Sequence, residues 1–331
     1  MWDFSLSDAL RVVLRTAPFL LLRLVVYVGM AFSFVLLTTL GAGFGLIAGR
    51  MFSLPHGALW GGLGGFVLLI GLYRLAREYV LYLVKAAHIA VLVELTDGKP
   101  IPAGEGQLRH GATYVRAHFA QSSVLFGVDQ LIKAVIRTLT NLANRLTGFV
   151  PIPGLAALMR LAEAVVRLSL TYVDELILAY LIRKGSENPW ATAKEGLVLY
   201  AQNYGYFLKN ALWLWLILWA ITLSIFAVCL APAIVFAAAL PGHHGWWGIG
   251  FAFAFAWALK LAILEPLAIA ALMQVFFRRI EGQLPDPEWD ARLNSASAKF
   301  RELGEKAAGW IARPVTGPVA GAADTSYVRP V

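Results

Sequence analysis

Charge is scarce in this chain of 331 residues: 15% are Asp, Glu, Lys or Arg, where an ordinary soluble domain carries about 25%. Cysteine is nearly absent, and Cys229 alone excludes any intramolecular disulfide and leaves the redox compartment unread. Nucleotide loops are missing too. The stretch "GAGFGLIAGRMFSLPHGALWGGLGG" at 41–65 is glycine-rich, but counting from Gly41 the sixth place of a dinucleotide fingerprint is Leu46. The Gly-Lys-Ser/Thr ending of a P-loop is also lacking. No hydrolase elbow surrounds Ser122, Ser123, His118 or Asp129, so an enzyme is not expected. The first residues hold Asp3 and Asp8 where a signal peptide needs basic residues, and no short apolar stretch ends in a cleavage site, so they are expected to stay attached.

What the chain has in abundance is apolar surface. Hydrophobic residues make up 59% and the mean hydropathy is +0.67, which places it in a bilayer. Residues 24–49 carry no charge and exceed the ~20 residues that cross a hydrocarbon core. They predict a first transmembrane helix. A second begins at Gly57 and continues through Arg74 and Arg77, whose long side chains reach back to headgroups. The apolar stretch from Asn210 to Leu259 is split by the turn residues "PGHHGWWG", giving a third helix at about 210–240 and a fourth from near Trp246. The fold class is thus an all-α integral membrane protein with four transmembrane helices in two hairpins and amphipathic helices on the cytoplasmic face.

Every basic residue except Arg50 and Lys260 falls in 1–23, 74–209 or 278–331. Short cytoplasmic loops retain Lys and Arg, so both termini are expected in the cytoplasm of a plasma (inner) membrane protein. The net charge of +8 then faces an anionic inner leaflet, and nucleic acid is not needed to explain it. The organisation reads as an N-terminal interfacial helix (1–23, capped by Ser5 or Ser7 and closed by Pro18) and a hairpin (24–77). An amphipathic layer (78–209), a second hairpin (210–282), and an amphipathic helix with a disordered tail (283–331) complete it. Asp286 and Pro287 open that last helix, with Trp289, Leu293, Phe300 and Leu303 on its apolar side.

The layer at 78–209 carries polar stripes at helical spacing: Lys85 and His88; Gln130, Lys133, Arg137, Asn141 and Asn144; Arg160, Glu163, Arg167, Thr171 and Asp174. Such stripes are commonly solvated faces; the alternative is that several face inward and line a polar path. A re-entrant or fifth span over about 164–182 is the other open reading. A faint repeat at an offset of 90 pairs Glu105-Gly106 and Tyr114 with Glu195-Gly196 and Tyr204.

From about Phe126 to Gln283 the order of features resembles the C-terminal half of the choline transporter-like family. "FGVDQLIKAVIRTL" is similar to its long helix, "VDELILAYLIRKGSENPWATAKEGLVLYAQNYGYFLKNAL" to its amphipathic segment before a span, and "LAIAALMQVFFRRIEGQ" to its closing helix. The large extracellular domain and the roughly ten spans of that family have no counterpart. The resemblance implies passage of a small cationic or zwitterionic solute such as choline. The other function class is a non-transporting structural or accessory subunit of a membrane complex.

Lys260 and Glu265 are the ionisable residues of the fourth span and so the candidates for a substrate or ion path. Five residues apart, they point about 140° from each other on an ideal helix, and only a kink at Pro266 would bring them together. No cofactor is expected and no metal: His56, His243 and His244 share the outer loops, but their spacing is not a ligand motif. Gly41, Gly45 and Gly49 face Gly57, Gly61 and Gly65 across a short turn, as a small-residue seam closing the first hairpin. A face serving a second copy of the chain in a homo-oligomer, or a membrane-complex partner, is the alternative use.

Overall fold

The structure is a computed structural model that describes residues 2–52, 56–118, 126–138, 170–185, 187–239 and 256–310. Every regular element among them is a helix. Ser5, not Ser7, caps α1 (Leu6–Arg15) by accepting from the Asp8 amide at 3.3 Å. Pro18 does more than close α1. It stands in the first turn of α2 (Ala17–Met51), where a missing N–H costs nothing. The corner between them is pinned from outside. The Thr16 hydroxyl donates to the Val13 carbonyl at 2.7 Å, so it accepts from His88 Nε2 at 2.8 Å; Gln107 Nε2 donates to the Arg15 carbonyl at 2.8 Å.

α2 and α3 (Gly57–Thr96) pack against each other as the first hairpin. The expected boundary between residues 77 and 78 does not interrupt α3. No Gly or Pro stands between Arg74 and Thr96, so the chain has no reason to break, and the stretch expected as a second span runs on into the amphipathic stretch as one helix. The helix stops at Gly98, which adopts φ +73°. α4 (Glu105–His118) then folds back onto α3.

α5 covers 126–138. α6 (Val173–Lys184) is buried on all sides from Val173 to Ala179, so its Asp174 and Glu175 face protein and not water. The stripe residues Asn141, Asn144, Arg160, Glu163 and Arg167, and the first part of the 164–182 stretch, lie outside the described residues. α7 (Pro189–Gln202) is capped by Asn188, which accepts from the Ala191 amide at 3.1 Å. α8 (Tyr204–Ala239) runs through Pro232, and α9 (Ala256–Ile280) contains a π-helical turn at Lys260–Leu264. Pro266 cannot donate to residue 262 and its ring crowds that carbonyl, which accounts for the widened turn just before it.

The C-terminal amphipathic segment is two helices, α10 (Pro287–Ala296) and α11 (Ala298–Ala308). Ser297 separates them because its side chain accepts from the Phe300 amide at 3.3 Å and caps α11. Leu293, Phe300 and Leu303 are buried as expected, against α7. The predicted tail from residue 311 lies outside the described residues.

Three times a helix ends at a left-handed glycine and a short helix follows within a few residues, with a proline in the connection or at the first position of that helix. These are α3–Gly98–α4, α6–Gly185–α7 and α9–Gly282–α10. The sequence echo at offset 90 does not map helix onto helix, since Glu105 opens α4 while Glu195 sits midway along α7. The counterpart of Gly196 is Gly111. Each lies where a short helix presses on the helix before it, against Ile177 and Tyr180 in one case and Ala87 and Phe19 in the other.

The core is made by α6, the second half of α3, α7 and α9, with Phe276 ringed by Tyr180, Tyr200, Phe207 and Phe277. Tyr204–Pro232 and Ala256–Ile280 are each long and apolar enough to cross a membrane. On α2, α3 and α8 large apolar side chains stand uncovered, among them Phe44, Ile47, Trp60, Leu223 and Val228. Water would penalise such a surface, and lipid would not.

The N-terminus is latched to the second hairpin. Asn210 exchanges hydrogen bonds with Asp3, Lys209 pairs with the Asp3 carboxylate at 2.6 Å, and Arg278 donates to the Asp3 carbonyl at 3.1 Å. Hydrogen bonds from Lys209 and Asn210 hold the Asp3 carboxyl below its ordinary value of 3.8. The folded value is therefore depressed, so the latch is complete above that value and weakens as pH falls through the lower folded value. Protection of the amides of residues 2–5 is expected to be lost as pH falls below the ordinary carboxylate range, and to be lost already at neutral pH in Asp3→Asn. Unchanged exchange in that variant would refute the latch.

Candidate functional site

Seven ionisable side chains from five helices converge at one place. α2 contributes Arg23, α3 Lys85, α5 Asp129 and Lys133, α6 Asp174 and Glu175, and α9 Glu265. They line a cavity of about 280 Å³ together with Tyr27 and Tyr82. Lys85 is its hinge: Nζ pairs with Glu175 Oε1 and, at 3.2 Å, with Glu265 Oε1. On the other carboxylate oxygen, Glu265 meets Arg23 Nη1 at 3.6 Å and accepts from the Tyr27 hydroxyl at 3.3 Å. Lys133 pairs with Asp129 at 2.7 Å, one helical turn away, and with Asp174 at 3.6 Å.

Burial, then the neighbouring Asp174, push the Glu175 carboxyl up to about 8. Burial also raises Asp129, against the pull of Lys133. Burial works to lower Lys133, but the Asp129 and Asp174 carboxylates outweigh it and hold the ammonium above its ordinary range. Glu175 is only 3% exposed, and its Oε2 accepts no hydrogen bond. With every acid and base ionised, the described residues of the lining hold four carboxylates against three cations. Such a site favours a positive ligand.

No family model, characterised protein or solved structure matches the chain. The functional reading therefore rests on this geometry.

The sequence candidates are placed as follows. Glu265 lies in the cluster. Lys260 does not: its ammonium sits over the rings of Trp257 and Trp219, 4.7 and 5.3 Å from their centroids. The π turn between the two residues directs them to different partners, and the kink does not join them. His56 is exposed and begins α3 in a left-handed conformation, φ +62°; His243 and His244 lie outside the described residues. Among the described residues no group of three His, Cys, Asp or Glu is placed to hold a metal. Gly41, Gly45 and Gly49 are in the C-terminal part of α2, with Gly45 buried, and Gly57, Gly61 and Gly65 are in the first turns of α3. The side-chain environment of that second set lies outside the described residues.

Of the cluster, the sequence marks Glu265 alone as a site residue; Lys85, Lys133 and Asp174 stand in its polar stripes, and Arg23, Asp129 and Glu175 carry no such mark. One signal points to three of the cluster. Lys85, Glu175 and Glu265 stand at successive steps of 90 residues, the offset of the faint repeat, and they meet in one ion-pair chain.

Proposed function

We propose that the chain is a four-span membrane protein of the plasma (inner) membrane whose charged cavity passes a small cationic solute, with choline as the model substrate. The spans are α2, the first part of α3, α8 and α9, with both termini on the cytoplasmic side. Supporting this, α2, α3 and α8 expose apolar faces, and every basic residue but Arg50 and Lys260 falls in the segments assigned to the inside. Arg23 precedes the uncharged stretch of α2 and Glu265 follows Lys260 toward the inner end of α9, so the cavity lies where the spans meet the cytoplasmic helices. The observation that carries the reading is the cavity itself. Its volume, about 280 Å³, is near the lower end of the ~300–1,000 Å³ common for small-molecule sites. Its carboxylates and two tyrosines are the groups that recognise an ammonium without needing it to donate hydrogen bonds.

In proteoliposomes the purified protein is expected to mediate choline or tetramethylammonium efflux, and Glu265→Gln to cut the rate at least about tenfold, equivalent to ~1.4 kcal/mol of lost stabilisation of the ligand. Size-exclusion chromatography must show the variant folded. Absence of flux for choline and related amines, with a constant stoichiometric partner co-purifying in mild detergent, would favour the accessory-subunit class instead.

A further inference from the structure

The charge count and one unpartnered atom converge on the same carboxylate. The cavity has one negative charge too many, and Glu175 Oε2 is a buried acceptor with no donor. Glu175 Oε1 is occupied by Lys85, and Lys85 is shared with Glu265. Among the described residues, the other charged groups facing the site are Arg23 from α2, Lys85 from α3, Asp129 and Lys133 from α5, Asp174 from α6 and Glu265 from α9. The tyrosines Tyr27 and Tyr82 complete the wall. An ionised carboxylate oxygen left bare at this depth is strongly disfavoured. A water in the cavity could hydrogen-bond to it, but two things cancel the charge itself. A proton on Oε2 neutralises the cluster, or a monovalent cation in the cavity does so from outside the carboxyl group. Both cancel the same single charge, so one excludes the other.

From this geometry we infer that Glu175 binds a proton in competition with the cavity's cation, so that each cation bound releases one proton. The exchange balances: the O–H bond of the Glu175 carboxyl breaks, the proton leaves to water, and the carboxylate remains as counter-ion to the incoming ammonium. No other group changes its charge. The inference rests on the cation-site reading above and adds to it the coupling ion, the residue that carries it and a one-for-one ratio. A site built this way binds weakly in acid and tightly in alkali, and its occupancy does not change the net charge of the cavity wall plus ligand.

Isothermal titration of the full-length protein in detergent with choline, repeated in buffers of different ionisation enthalpy, counts the protons. About one proton released per choline is expected near neutral pH, with affinity weakening about tenfold per pH unit between pH 7 and pH 5. Glu175→Gln is expected to release none and to bind with an affinity flat across that range. Choline binding by the wild type without proton release would overturn this inference and leave the cation site standing. Failure to bind choline at every pH would overturn both. The wild-type proton count decides the matter even where the variant does not fold.

Discussion

Lys85→Met is expected to destabilise the protein by roughly 3–5 kcal/mol, the cost of removing one partner from a buried ion pair and leaving the other charged. Lys85 neutralises two carboxylates at once, and both Glu175 and Glu265 are largely shielded from water. Methionine keeps most of the side-chain volume, so the loss reports charge and not a cavity. The double change Lys85→Met and Glu175→Gln is expected to recover most of it, because Glu265 then keeps Arg23 as its cation and no buried charge is left uncompensated. Unfolding in mixed micelles, with each variant compared at the same detergent fraction, measures both. A loss below about 1 kcal/mol for the single variant would mean that the cluster is wet and its pairs behave like surface ones. Lack of recovery in the double variant would mean that Lys85 matters for packing.

The ion-pair chain also shows what sequence reading can and cannot reach here. Glu265 was conspicuous because it interrupts an apolar run, and Lys260 was conspicuous for the same reason. Nothing in composition separates them. The π turn before Pro266 sends Lys260 to two tryptophans and Glu265 to Arg23, Tyr27 and Lys85. Helical spacing likewise told which polar residues share a face, but not whether the face meets water or protein. In α5, Lys133 turns into the cluster while Arg137, one turn on, is exposed. Asp174 belongs to a stripe that spacing alone leaves either solvated or facing inward, and in α6 both it and Glu175 are buried. Their direction is set by partners on α3, α5 and α9, far away in sequence. Helix boundaries were more legible, because their causes are local. Ser5, Asn188 and Asp286 cap, Pro18, Pro189 and Pro287 open, and Gly98, Gly185 and Gly282 close.

Glycine gives the sharpest contrast between pattern and packing, and the second large effect. The spaced glycines of 41–65 draw the eye, but two others in the same helices, Gly43 and Gly64, have open space where a Cβ would go. Gly111 drew no attention. A Cβ there would stand 2.8 Å from the Ala87 carbonyl oxygen and 2.8 Å from Phe19, closer than atoms approach without something moving. The neighbour is backbone on one side and, on the other, a fully buried ring stacked on His88, so neither can swing aside. Gly111→Ala is therefore expected to push α4 off α3 and to cost about 1–3 kcal/mol, as overpacking does. Because Gln107 of α4 holds the Arg15 carbonyl, the α1–α2 corner should loosen with it, and amide exchange around Thr16 should rise. Gly43→Ala and Gly64→Ala are the controls: both sites are helical and open, so alanine's lower chain entropy is expected to leave stability unchanged or raise it by about 0.5–1 kcal/mol. Equal effects at all three positions would contradict the close approach of α4 to α3. A large loss confined to Gly111 would locate the essential glycine contact at the base of the first hairpin, beside the cluster, and not along its outer seam.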